Sequence, residues 1–131
     1  MRCGATMNPR AIELQQRLLK YSTTIAALCD ALPGKLSARR IAGQLIDSSS
    51  SSYANYRSAC RGRSRAEFIA KLGIVVEELD ESEGWLILLQ ELQHIRRSVS
   101  APLLSETNEL LSIFSRSILT AKMGSGPNHN K

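Results

Sequence analysis

The chain has 131 residues, enough to bury a core without disulfides or metals, and 43% of them are hydrophobic, so disorder is not the default reading. Aromatic residues make up only 5%, so the core must come mainly from Leu, Ile, Val and Ala, which suits packed helices better than a β-sandwich. A formal charge of +5 favours acidic partners, and the odd set Cys3, Cys29 and Cys60 has no metal-ligand spacing, which fits a reduced, cytoplasmic setting. Residues 1–10 carry no apolar stretch of a secretory signal, and the longest apolar run, residues 85–89, is far short of the roughly 20 residues that cross a bilayer. No membrane partner is expected.

In chain order, residues 1–7 have no periodicity and are expected to be a loose tail. Asn8-Pro9 then has the form of a helix N-cap followed by proline at the first helical position. Leu14, Leu18, Tyr21, Ile25, Leu28 and Leu32 follow at alternating spacings of four and three, an apolar seam that predicts a helix over 9–32, ended by Pro33-Gly34. The second helix is expected over 37–60, with Ile41, Leu45, Ser48, Ser52, Asn55 and Ala59 on one face. Its five consecutive serines, Ser48 to Ser52, are poor helix formers, but the seam stays in phase across them. Gly62 marks a break. Ser64 and Glu67 form a capping-box pattern ahead of Phe68-Ile69, and a third helix is expected over 65–97 with the seam Leu72, Val75, Leu79, Ser82, Leu86 and Leu89. Pro102 suits the first turn of a fourth helix over 102–122, with Leu104, Thr107, Leu111, Phe114, Ile118 and Ala121 inward; residues 124–131 are expected to be disordered. Short connections make this one domain, an all-α, antiparallel, up-down-up-down four-helix bundle.

The middle of the chain resembles a known family. Gln44-Leu45, Ser48, Ser51, Asn55 and Gly62-Arg63-Ser64-Arg65-Ala66-Glu67-Phe68 are similar to the pattern of small bacterial four-helix-bundle proteins related to those encoded in intervening sequences of large-subunit ribosomal RNA genes. The Glu77–Ser82 stretch with Trp85-Leu86, and Leu104 with Glu106-Asn108-Glu109-Leu110, resemble the third and fourth helices of that family. Ser58 and Ala59 stand where the family usually has Glu-Gly, and Tyr56 where it usually has Ile. The resemblance implies a bundle that assembles as a homopentamer. A relative, the basic accessory protein of diversity-generating retroelements, binds nucleic acid and a reverse transcriptase.

No catalytic constellation is apparent in the residues. A di-iron bundle needs two Glu-x-x-His pairs; Glu91 to His94 is one, and the remaining histidine, His129, lies in the tail. No metal and no cofactor are therefore expected, and no enzymatic activity. Cys60 lies near arginines but no histidine is close in sequence, so it is taken as a buried small hydrophobe. The acidic stretch from Glu77 to Glu83 is read as a solvated face, and Asn55 as a buried polar residue that fixes register.

The arginines are the functional lead. In an antiparallel bundle the starts of helices 1 and 3 share a rim with the ends of helices 2 and 4, which collects Arg10, Arg57, Arg61, Arg63, Arg65 and Lys122. Arg57 and Arg61 near a helix C-terminus suit the macrodipole, whereas Arg63 and Arg65 at a helix N-terminus oppose it. A face for RNA or DNA phosphates is the expected use. The other rim holds Lys35, Arg39, Arg40, Arg96 and Arg97, with Arg96 and Arg97 placed near the C-terminus of the third helix. Trp85, Leu88, Leu92 and Ile95 form a second apolar stripe on that helix and are expected to meet another subunit. The function expected is a homo-oligomer that binds nucleic-acid backbone with low sequence preference; a structural or adaptor oligomer with a protein partner such as a reverse transcriptase is the alternative.

Overall fold

The computed structural model describes residues 8–124; of the expected tails, 1–7 and 124–131, all but Gly124 lie outside them, with Cys3 and His129, and Gly124 is the C-cap of α4. The described residues form four helices and no strand: α1 (Pro9–Asp30), α2 (Leu36–Cys60), α3 (Arg65–Glu91) and α4 (Arg97–Met123). Each helix packs on its neighbour in sequence, and the result is the expected antiparallel bundle. α1 and α4 stand further apart and leave a groove of about 410 Å³ beside Leu28, Val99 and Leu103. Across it Arg17 and Glu106 form a half-buried ion pair at 2.7 Å, and the hydrogen bond to Glu106 raises the Arg17 pKa further.

Local sequence explains the starts of α1 and α3. Asn8 Oδ1 accepts from the Arg10 N–H at 2.7 Å, with Pro9 first in the helix. Ser64 Oγ accepts from the Glu67 N–H at 3.1 Å, and the Glu67 carboxylate accepts from the Arg63 N–H at 2.6 Å, one residue beyond the partner of a standard capping box. Gly62 lies between the two elements, where a Cβ would stand 3.1 Å from the Ala59 carbonyl oxygen.

The connection between α3 and α4 departs from expectation. α3 stops at Glu91 and α4 starts at Arg97, so Pro102 lies inside α4. Gln93 adopts φ 61°, the His94 N–H donates to Leu89 O, and the Gln93 N–H donates to Gln90 O. This is a Schellman termination with glutamine at the position glycine usually takes, so no glycine or proline marked the break. The Ser100 hydroxyl donates to the Gln90 side chain and closes the corner. Ile95 falls beyond α3 and packs into the core, which corrects its place on an intersubunit stripe. Arg96 and Arg97 are likewise moved from a helix C-terminus to the N-cap and first residue of α4.

The seams of α1 and α3 are buried largely as expected, and α3 matches throughout with Leu72, Val75, Leu79, Ser82, Leu86 and Leu89. α4 is rotated: Leu103, Leu110 and Ile113 are buried with Thr107 and Phe114, while Leu104, Leu111 and Ile118 are half-buried. α2 continues through the serine run. Ser48, Ser49 and Ser52 are buried, each near a carbonyl one turn back; Ser49 and Ser52 are satisfied inside their own helix, while Ser48 has a nearer partner on α3.

A layer of buried hydroxyls crosses the bundle. Ser48 on α2 meets Ser82 on α3 at 2.7 Å, and Tyr21 on α1 meets Thr107 on α4 at 2.5 Å. Burial pushes the Tyr21 phenol up to about 12, partly opposed by the hydroxyls of Thr107 and Ser82. Asn55 was the residue expected to set register. It is half-buried and bonds Ser51 on its own helix, whereas this layer joins α2 to α3 and α1 to α4.

Candidate nucleic-acid interface

Antiparallel packing brings all four helices to the first rim. A cleft of about 340 Å³ there is lined by Asn8, Arg10 and Leu14 from α1 and its cap, Tyr56 from α2, Phe68 from α3, and Ile113, Arg116 and Ser117 from α4. Arg10, Arg57, Arg61, Arg63 and Lys122 are exposed around it. Arg65 is half-buried, with Nη2 shielded from solvent, so it presents less of its guanidinium than expected. Arg57 lies over the Tyr53 ring, 6.0 Å from its centroid, a cation–π contact that holds the side chain against α2. Tyr56 is buried and stacks obliquely on Phe114 at 4.9 Å, so it is a core residue.

Two acids oppose these cations. Glu13 pairs with Arg10 at 2.8 Å in an exposed contact of little energetic weight, and Glu67 is engaged by the Arg63 backbone. Sequence reasoning missed Arg116, which is exposed and has no ion-pair partner among the described residues. Its signal was its position about two turns before the end of the fourth helix, still within reach of a rim defined only by terminal turns.

Acids gather at the middle of α2, α3 and α4, while α1 carries Arg17 and Lys20 at its middle. Asp47 lies halfway along α2, the run from Glu77 to Glu83 at the middle of α3, and Glu106 and Glu109 at the middle of α4. The far rim carries Lys35, Arg39 and Arg40 at the start of α2 beside Arg96 and Arg97 at the start of α4. Ser37 Oγ and His94 Nε2, 2.8 Å apart, tie these two segments together. His94 is thus half-buried and engaged.

Of the stripe expected to meet another subunit, Leu88 and Leu92 are exposed at 39% and 44%, Trp85 is half-buried against the core, and Ile95 belongs to the core. Ile87, 43% exposed, extends the apolar surface. Cys29 and Cys60 are both buried and free; burial, with a smaller contribution from Asp30, pushes the Cys29 thiol up to about 11. Among the described residues no group of three or more His, Cys, Asp or Glu side chains is placed to hold a metal ion, and no helix is long and apolar enough to cross a membrane.

Comparison with solved structures finds this architecture in a protein of unknown function from the S23 ribosomal protein family of Bacteroides thetaiotaomicron VPI-5482. The two chains share 28% identity with a TM-score of 0.78, over 84% of this chain and 98% of that one. No curated protein matches the chain. The family model of the 23S rRNA-intervening sequence protein matches residues 10–116, from the first turn of α1 to the last third of α4, and the chain belongs to that family.

Proposed function

We propose that the protein is a non-enzymatic homo-oligomer that binds the backbone of RNA or DNA through its first rim with little sequence preference. The observation that carries this reading is the gathering of Arg10, Arg57, Arg61, Arg63 and Arg116 from α1, α2, the α2–α3 connection and α4 around one end, all exposed, with Glu13 and Glu67 the two carboxylates opposing them among the described residues. Arginine offers a planar fork that matches phosphate oxygens. Arg63, just outside the N-terminus of α3, stands where the macrodipole disfavours a cation, so local helix stability does not account for it. The low sequence preference follows from the site's chemistry: none of the aromatic residues described there is an exposed platform, since Tyr56 is buried, Tyr53 lies under Arg57 and Phe68 is half-buried in the cleft wall.

Assembly fits the apolar surface of Ile87, Leu88 and Leu92, which one bundle leaves uncovered. Five subunits is the number the family resemblance implies, and a ring would multiply the basic rim. The same apolar surface favours a second reading, an adaptor that docks a protein partner such as a reverse transcriptase.

The test is a salt-titrated binding assay with wild type and Arg57→Gln/Arg61→Gln/Arg63→Gln. Wild-type affinity should fall steeply with salt, and the log–log slope should flatten by about 0.9 for each duplex phosphate the variant no longer neutralises. Absence of binding at low salt would leave the adaptor reading.

A further inference from the structure

The far rim has no role in that function, and its chemistry calls for one. Lys35, Arg39, Arg40, Arg96 and Arg97 converge there from two chain segments joined by the Ser37–His94 contact. Two acids lie nearby, Asp30 at the end of α1 and Glu91, whose contact with Arg97 is 4.0 Å long between exposed side chains. Arg39 also donates to Gly34 O at 2.7 Å, which holds it over the turn between α1 and α2.

Local structure does not explain these cations. The N-caps of α2 and α4 are Lys35 and Arg96; neither makes a side-chain capping bond, and neither helix has an acid in its first turn. Each therefore places positive charge at the positive end of a macrodipole. Helix ends alone specify no ligand. The cluster of four arginines and a lysine drawn from separate segments is what suits a polyanion.

The two basic ends are electrostatically separate. α2 spans 25 residues, so at 1.5 Å per residue the rims lie about 37 Å apart. That is several times the roughly 8 Å screening length at physiological salt. A strand running from one rim to the other along α2 and α3 would pass the exposed acids Asp47, Glu77 and Glu81, which repel it, whereas on the α1–α4 side Glu109 is 3.6 Å from Arg17.

We propose that the far rim is a second nucleic-acid backbone face, and that the protein holds two separate nucleic-acid segments, one at each end of its bundle. This rests on the reading of the first rim as a nucleic-acid face. It goes beyond that reading by making the protein a bridge.

The experiment immobilises one biotinylated DNA duplex, saturates it with the full chain, and measures capture of a second, fluorescent duplex at physiological salt. Wild type should capture it. Arg40→Gln/Arg96→Gln/Arg97→Gln should still bind the first duplex, within about threefold, but should capture the second roughly tenfold less, because three guanidinium groups no longer neutralise its phosphates. Arg40→Lys/Arg96→Lys/Arg97→Lys should restore most of the capture, and unchanged circular-dichroism melting would show that the variants fold.

Undiminished capture by the glutamine variant would overturn the proposal, since one rim of an oligomer would then hold both duplexes. So would tight binding of the far rim to phosphatidylserine vesicles with duplex capture unaffected. Failure of the underlying reading looks different: Arg57→Gln/Arg61→Gln/Arg63→Gln would then bind a single duplex like wild type, with all binding residing in the far rim.

Discussion

The hydroxyl pair between α2 and α3 gives a prediction whose sign reverses between single and double variants. Ser48 and Ser82 are both fully buried and 2.7 Å apart. Ser82 donates to Glu78 O at 3.0 Å, so the Ser48 proton goes to Ser82, a closer partner than Leu45 O at 3.3 Å. Ser48→Ala removes that donor and leaves a buried oxygen short of a partner. Ser82→Ala sends Ser48 back to the longer bond with its own helix. Each loss should cost about 1–1.5 kcal/mol, against a gain of about 0.5 kcal/mol because alanine is the better helix former. Each single variant should therefore be destabilised by roughly 0.5–1 kcal/mol. The double variant leaves no polar atom unpaired and gains helix propensity twice, so it should be as stable as wild type or up to about 1 kcal/mol more stable. Urea midpoints for the four proteins at equal subunit concentration give the cycle. Additive losses, or a double variant weaker than either single, would refute the assignment of these hydroxyls to each other.

Gln93→Gly should stabilise the protein by about 1 kcal/mol, seen as a higher urea midpoint with unchanged slope, because Gln93 holds φ 61°, where a Cβ is unfavourable. Alkaline stability should fall in two stages. Tyr21 and Cys29 have folded pKa values raised to about 12 and about 11 from 10.0 and 9.0, so the neutral forms that the fold favours are lost from the unfolded chain first. Stability should decline between about pH 9 and 11 through the thiol and between about pH 10 and 12 through the phenol, and Cys29→Ala should remove the first stage of a melting series. Leu88→Glu/Leu92→Glu, on exposed positions, should leave helicity intact and reduce the mass in light scattering to that of a monomer; an unchanged mass would place the subunit contact elsewhere.

The helices were legible wherever side-chain periodicity and end chemistry agreed. Asn8-Pro9 and Ser64 with Glu67 mark ends that their own side chains build, and the α3 seam follows directly from spacing because six inward residues repeat without interruption. The turn between α3 and α4 was not legible. Its termination uses backbone bonds from Gln93 and His94, and glutamine carries no sequence mark of a left-handed residue. The rotation of α4 has a similar cause. Leu103 and Leu104, and Leu110 and Leu111, are adjacent apolar pairs, so the pattern accepts either of two faces, and contact with α3 and α1 decides between them.

That one misplaced helix end altered the reading of the charges. With Arg96 and Arg97 near the C-terminus of a long third helix, the macrodipole accounts for them, and the far rim needs no further cause. With α4 beginning at Arg97, the same residues oppose the macrodipole, as Lys35 does at the start of α2 and Arg63 beside α3. All four helices thus begin with or beside a cation, Arg10 of α1 included, and only α3 has an acid in its first turn, Glu67; Asp47, Glu77, Glu81 and Glu109 sit mid-helix. Cations at the starts of α2 and α4 are unfavourable for those helices, whereas Arg57 and Lys122 in the last turns of the same helices are favourable. The macrodipoles of their own helices therefore do not account for these cations, and the two proposed polyanion faces would give them a use.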